Sequence, residues 1–353
     1  MMELQRFLMR LATGALYLGF VLLAGVFAAS GAHAQQGGSV TPSRPGDSRY
    51  ANPWGPSPPS SPIPFGGVAV NFKAPQASTP GLLISAYLFK PAERAKGAVV
   101  IIGAGGGVSN NREGHYARSL SSAGYMVLVV DSYGARGVQS TTEDNAAVSI
   151  FDQALDAFAA RKLLIDAGNS ADRIAVMGSG RGGTVALLAA DRTFVRGADD
   201  KRFVIAMAIS PGCIFHPLKP KPVASVFIAL GDRDNIVGEA RCNEWVKEYA
   251  AAGGKVISKV YRGAASGFDG DPVDIRMFNF PKIETFVDCR VDVDPDGRSV
   301  YVGQSFEESQ FAALVEQMRK SCIRRGGSGY TNLTQKANVT LDLIDFLDSN
   351  FPQ

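Results

Sequence analysis

Short runs of uninterrupted apolar residues recur along this chain, separated by stretches with helical periodicity, and this alternation constrains the fold most. Such runs lie at 98–102, 126–130 and 203–209, and further strands are expected at 173–177, which opens with Arg173, at 223–230, which holds Ser225, and at 256–261, which holds Ser258 and Lys259. A strand that is apolar at every position must be covered on both faces, whereas a half-exposed strand alternates. Ala147, Phe151, Ala154, Leu155, Phe158 and Ile165 recur at helical spacing and describe one long covering helix. Shorter helices are expected over 113–123, 184–190 and 241–252. A leading strand pair, 68–72 and 82–89, is separated by the turn sequence Ser78-Thr79-Pro80-Gly81. The implied class is α/β: a doubly wound, mostly parallel sheet with helices on both faces. Sites in such sheets form beyond the carboxyl ends of the strands, so the residues just after each run carry the functional question.

Three segments are expected. Residues 1–34 have the pattern of an export signal: Arg6 and Arg10, a charge-free apolar run over 11–29, then Ala32-His33-Ala34 before Gln35. An uncleaved membrane anchor is the alternative, and would be the chain's one link to a membrane. Residues 35–64 are rich in Pro, Gly and Ser, with few large aliphatic side chains to offset ordering, and read as a flexible linker. Residues 65–353 then suit one large domain, placed in the periplasm or outside the cell. With 36 basic and 33 acidic residues and no clustered basic face, a nucleic-acid partner is not expected. The four cysteines all follow the linker, and an even number in an oxidising compartment favours disulfides. Of the three possible pairings, Cys213–Cys242 and Cys289–Cys322 are the expected ones. No Cys-x-x-Cys or His-x-x-x-His spacing occurs, so neither a metal nor any other cofactor is expected.

The segment from about 271 to 330 breaks the strand–helix rhythm. A hairpin is expected over 286–302, turning at Asp294-Pro295-Asp296-Gly297, with a helix over 306–322. This excursion is read as an insertion ahead of a closing helix at about 334–351.

The run 173–177 leads into Gly178-Ser179-Gly180-Arg181-Gly182-Gly183 and an apolar helix. A strand-to-helix turn of the form Gly-x-Ser-x-Gly holds the nucleophile of α/β-hydrolases. With Gly178 and Gly182 as the flanking glycines, the central residue is Gly180, which has no atom to attack a carbonyl. Further motifs follow in order. Gly103-Ala104-Gly105-Gly106-Gly107 ends the first apolar run, and Asp131-Ser132-Tyr133-Gly134-Ala135-Arg136-Gly137 follows the second. Gly231-Asp232-Arg233-Asp234 and Ala264-Ala265-Ser266-Gly267-Phe268 come later. Over about 65–270 and the last helix, these motifs resemble the dienelactone hydrolase family. The resemblance implies an α/β-hydrolase fold with an oxyanion loop at 103–107. It implies a catalytic acid at Asp234, a nucleophile position occupied by Gly180 and a histidine position occupied by Ser266. A hydroxyl is no base near neutral pH, so two of three triad functions are missing.

Other roles follow from these. Gly105 and Gly106 could line a pocket, Arg136 could brace the loop above it, and the Arg181 backbone N–H could belong to the oxyanion hole. The Arg181 side chain is expected on the helix surface. His115 and His216 are expected as surface or capping residues. Gly178-x-Gly180-x-x-Gly183 also satisfies a dinucleotide fingerprint, but no acidic residue ends the next strand. The reading is a non-catalytic binding module for a small molecule or protein not identified by the sequence. The alternative is an ester or lactone hydrolase with a rebuilt site drawn from Ser179, Ser266 or Ser132 with His115 or His216.

Overall fold

The computed structural model describes residues 67–73, 81–194, 202–271 and 276–351. The expected export signal and linker fall outside these residues. In chain order the elements begin with β1 (Val68–Lys73), β2 (Leu83–Phe89), β3 (Ala98–Ile102), α1 (Glu113–Ser122) and β4 (Met126–Asp131). Then come α2 (Ile150–Asp166), β5 (Ile174–Ser179), α3 (Arg181–Ala189), β6 (Ile205–Ile209), β7 (Phe215–Pro217) and β8 (Ser225–Arg233). They continue with α4 (Glu239–Ala251), β9 (Val256–Ala265), β10 (Phe278–Thr285), β11 (Val291–Val293), β12 (Ser299–Tyr301) and β13 (Gln304–Phe306). The last are α5 (Phe311–Arg319), β14 (Arg324–Gly329) and α6 (Leu333–Asn350).

The α/β class holds. The main sheet has eight strands in the order β1-β2-β4-β3-β5-β6-β8-β9. β1, β2 and β4 pair antiparallel, and the remaining pairs are parallel. Alternate residues of each central strand feed opposite cores. Ala98, Val100 and Ile102 of β3 pack with α2, α3 and α4, while Val99 and Ile101 pack with α1 and α6. Both clusters are built of apolar side chains, which is why β3 has no polar residue. Local sequence starts two of the covering helices: the Ser149 hydroxyl accepts from Phe151 N–H at the head of α2, and Asn332 caps α6 through Gln335 N–H.

The excursion differs from its expected form. The hairpin turn at 294–297 is present between β11 and β12, with Asp294 Oδ1 accepting from the N–H groups of Asp296 and Arg298, each at 2.9 Å. It begins at Val291 instead of 286 and gains a third strand, β13. The expected helix over 306–322 is a 3₁₀ turn, Glu308–Gln310, followed by the shorter α5. Three further strands were not expected. β7 leaves the loop after β6 and pairs in parallel with β11, and β10 pairs with β14 as a two-stranded ribbon. Both expected disulfides are formed: Cys213–Cys242 ties the β6–β7 loop to α4, and Cys289–Cys322 ties the β10–β11 loop to the segment just after α5. Among the described residues, no helix is long and apolar enough to cross a membrane.

Candidate active site

β5 ends at Ser179 and α3 begins at Arg181, so one residue, Gly180, forms the apex of the turn at φ +53° and ψ −116°. The sharpness of the turn follows from its glycines. A Cβ on Gly178 would lie 2.4 Å from the carbonyl carbon of Gly182, and a Cβ on Gly182 would lie 2.3 Å from the Ile102 carbonyl oxygen. On Gly183 it would meet the Gly178 oxygen at 3.0 Å. Backbone touches backbone at all three, so strand and helix close only if side chains are missing. The apex is different. A Cβ on Gly180 would meet no described atom within 4 Å. Gly180 N–H donates to the Ile209 carbonyl at 2.7 Å, and its own carbonyl accepts from Thr184 N–H at 3.0 Å.

Gly180 borders a cavity of about 130 Å³. Ser179, Arg181 and Ser210 join it on the sheet side, with Gly105 and Gly106 of the expected oxyanion loop. Across from them stand Phe286, Phe311, Val315 and Met318, all from the excursion. In the glycine loop, Ala104 N–H is turned to the buried Glu113 carboxylate at 3.2 Å. Glu113 in turn accepts from Arg112 Nε at 2.9 Å, with both side chains almost fully buried.

Geometry and sequence lead to the same family. A family model described as the dienelactone hydrolase family matches residues 84–276, more than half of the chain. The chain belongs to that family. Similar solved structures include esterase 2 of Thermogutta terrifontis phosphoramylated by tabun, at 17% identity and a TM-score of 0.47, covering 60% of this chain and 88% of that one. The same esterase with propionate bound matches at 19% identity and a TM-score of 0.45, covering 58% of this chain and 86% of that one. No curated protein matches.

In this dienelactone hydrolase family member Asp234, the residue expected as the acid, follows β8 and lies just behind the cavity wall. Its Oδ1 accepts from the N–H groups of Ile236 at 2.9 Å and Val237 at 3.2 Å. Burial raises its pKa above the usual carboxylate value, opposed by those N–H groups and by the facing hydroxyls of Ser210 and Ser266. Among the described residues, neither Asp234 Oδ2 nor Ser210 Oγ completes a hydrogen bond. Ser266, the residue expected where the family has its histidine, lines the cavity, and its backbone bridges in parallel to Gly329 at the end of β14. A Cβ on Gly329 would lie 2.3 Å from the Ser266 carbonyl oxygen, so the ribbon abuts this loop directly. The structure therefore gathers Gly180, Ser266 and Asp234 at one end of the sheet.

Two expected placements need correction. Arg136 does not line the cavity: its guanidinium donates to both Asp156 oxygens, at 2.7 and 3.2 Å, and to the Ser132 carbonyl. The buried Asp156 draws it away and fixes the loop after β4. Arg181 does not lie on the helix surface. It donates to Gln153 Oε1 at 2.6 Å, to Asn145 Oδ1 at 2.9 Å and to the Val148 carbonyl, with its guanidinium 5.6 Å from the Phe311 ring centre. Enclosure lowers its pKa, because desolvation disfavours the cation.

The residues of the alternative site are dispersed. Ser179 lines the cavity, but its hydroxyl donates to the buried Asp269, which also accepts from Tyr116 at 3.2 Å. Ser132 is buried outside the lining. His115 Nε2 lies 3.1 Å from Thr340 Oγ1, whose own hydrogen goes to the Lys336 carbonyl, so the imidazole is the donor. Burial, with Lys336 and Arg118 nearby, pushes its pKa down to about 4. His216 is held between Glu248 at 2.7 Å and the Cys213 carbonyl at 2.9 Å. Neither histidine lines the cavity. Sequence reading missed Arg112, Ser210 and Glu284 as cavity residues. Ser210 carries a signal only in three dimensions, a left-handed backbone at φ +42°.

Proposed function

We propose that this chain is an exported, non-catalytic member of the dienelactone hydrolase family that uses the retained cavity to bind a small molecule. The observation that carries the reading is the apex of the turn. Its flanking glycines are packed as a nucleophile elbow needs, while Gly180 presents only hydrogen to the space above it. Ser266 at the histidine position removes proton transfer as well, because a neutral hydroxyl neither deprotonates a nucleophile nor protonates a leaving group at neutral pH. Asp234 then has no imidazole to orient, and its Oδ2 has no hydrogen-bond partner among the described residues. Export follows from the charge and cleavage pattern of residues 1–34.

A rebuilt hydrolase is the second reading, favoured by one observation: the Ser179 hydroxyl donates to the Asp269 carboxylate at the cavity wall. One experiment separates the two. The purified protein is exposed to a fluorophosphonate probe and to aryl and lactone esters. The binding reading predicts no labelling and no hydrolysis above buffer. Labelling or turnover that a single substitution such as Ser179→Ala abolishes would establish the enzyme reading in its place.

A further inference from the structure

Two guanidinium groups, those of Arg112 and Arg181, border the half-open cavity, and they decide what charge it takes. The Arg112 side chain is only 3% exposed. Its Nε donates to Glu113 and its Nη2 to the Gly107 carbonyl, while Nη1 donates to no described residue. A charged donor this deeply enclosed and left without an acceptor is costly, and it points to a group that completes it. Arg181 places four of its five N–H groups on Gln153, Asn145 and Val148, all neutral acceptors, and forms no ion pair among the described residues. A cation drawn out of water by neutral groups alone calls for a counter-charge. The acids nearby are already committed. Glu284, at the cavity wall, accepts from Arg319 Nε at 2.6 Å and from both Asn145 donors, and Asp144 pairs with Arg319 as well. Asp269, also at the wall, accepts the Ser179 and Tyr116 hydroxyls and has Lys336 near enough to interact. Asp234 lies behind the wall, where burial raises its pKa and favours the neutral acid. Arg181 is the charge left over.

Backbone donors add to the two arginines. The opening N–H groups of α3, a helix of nine residues, have no intrahelical partner and no side-chain cap. Gly180, just before them, has no side chain, and a Cβ there would meet nothing within 4 Å. A helix start carries partial positive charge and receives anions where an approach is open. Gly105 and Gly106 of the glycine loop border the same space, and Phe215, Phe286, Phe311 and Met318 give it an apolar wall. We infer that the cavity binds a small organic anion with a tetrahedral head group, a sulfonate or a sulfate or phosphate ester, its head above Gly180 and its apolar part against the phenylalanines. The inference rests on the non-catalytic reading, since a nucleophile side chain would fill that space. Donors come from three separate elements: Arg112, the glycine loop and the start of α3. A head group with three oxygens serves all three, whereas a carboxylate has two oxygens in one plane. A neutral ligand leaves Arg181 uncompensated, and a cation would meet both arginines. Because the cavity is half-open, its volume of about 130 Å³ bounds the seated part, a head group with roughly one ring, and not the length of the ligand.

The test titrates the purified full-length protein with benzenesulfonate, benzoate and toluene, which share one ring, and follows binding by saturation-transfer NMR. Benzenesulfonate is expected to bind with a Kd on the order of 0.1–1 mM, the range open to a ligand of this size. Benzoate should bind at least threefold more weakly, and toluene at least tenfold. Arg112→Gln should weaken benzenesulfonate at least tenfold. Because that change strands Glu113 and could unfold the protein, a second pair carries the test independently. Gly180→Asp and Gly180→Asn put side chains of equal size above α3, both of types that tolerate positive φ, and differ in charge alone. The Asp variant should bind benzenesulfonate at least tenfold more weakly than the Asn variant. Equal affinity in that pair, or unchanged affinity in folded Arg112→Gln, overturns the anion assignment. Toluene binding as tightly as benzenesulfonate, or no binding of any of the three compounds, overturns it too. Benzoate binding as tightly as benzenesulfonate overturns the tetrahedral head group. Hydrolysis of phenyl acetate by the same preparation would instead refute the non-catalytic reading beneath the inference.

Discussion

Placing a methyl group on each of two neighbouring glycines should have very different consequences, although both changes read simply as Gly→Ala. At Gly182 the new Cβ would sit 2.3 Å from the Ile102 carbonyl oxygen and 2.9 Å from that of Gly103. An ordinary carbon–oxygen contact is about 3.4 Å, so the end of β3 must retreat by about 1 Å. That retreat disturbs the β3–β5 ladder, where Ile102 faces Gly178. Overpacking against backbone in a closed core costs about 3 kcal/mol or more. At Gly180 no contact arises within 4 Å, and the penalty comes from the backbone alone, at φ +53°. A side chain held there costs about 1–3 kcal/mol, offset by about 0.5 kcal/mol from the less flexible unfolded chain. Gly180→Ala should therefore lose about 0.5–2.5 kcal/mol, and Gly182→Ala at least about 3 kcal/mol. Urea unfolding followed by circular dichroism measures both. In a domain of this size each kcal/mol corresponds to about 2–4 °C in melting temperature. Equal losses at the two positions, or a greater loss at Gly180, would refute the claim that the apex faces open space.

Three further outcomes are expected. Replacing Cys289 and Cys322 together by serine should lower stability by on order of 3 kcal/mol, since their bond closes a sequence separation of 33 residues; unchanged unfolding would show that the excursion holds its shape without it. His115 is pushed down to about 4 in the folded protein, whereas the unfolded chain takes up its proton near 6.5. Stability present above pH 6.5 is thus lost as the pH falls towards 4, by about 1–2 kcal/mol once the shift is discounted for partial exposure. His115→Gln should flatten that part of the stability–pH curve, and an identical curve would remove His115 as its cause. Finally, the double variant Gly180→Ser with Ser266→His restores both missing functions beside Asp234. It should become labelled by a fluorophosphonate, while either single variant should not; labelling of Gly180→Ser alone would show that a base other than residue 266 serves the site.

The strands of the central sheet and the elbow were legible because their signals are local. An all-apolar stretch such as 98–102 declares its own double coverage, and the order Gly178-Ser179-Gly180-Arg181-Gly182 names the apex residue without any coordinates. Both expected disulfide pairs are formed, although the cysteine spacing alone left three pairings possible. The short strands of the excursion were not legible. β7 and β11 have three residues each and pair across a long sequence separation, so their partner, more than their own composition, makes them strands.

The chemistry divides in the same way. That residue 180 is glycine and residue 266 serine is a property of the sequence alone, and the proposed non-catalytic reading starts from it. Where Arg136 and Arg181 point was settled by burial: a guanidinium goes to whichever acceptors the packed fold leaves inside, Asp156 for one and Gln153 with Asn145 for the other. The approach of Ser210 to Asp234, and the apolar wall that Phe311 and Met318 set across the cavity, exist only once distant segments meet. Desolvation and close packing act between residues far apart in the chain, and no local pattern encodes them.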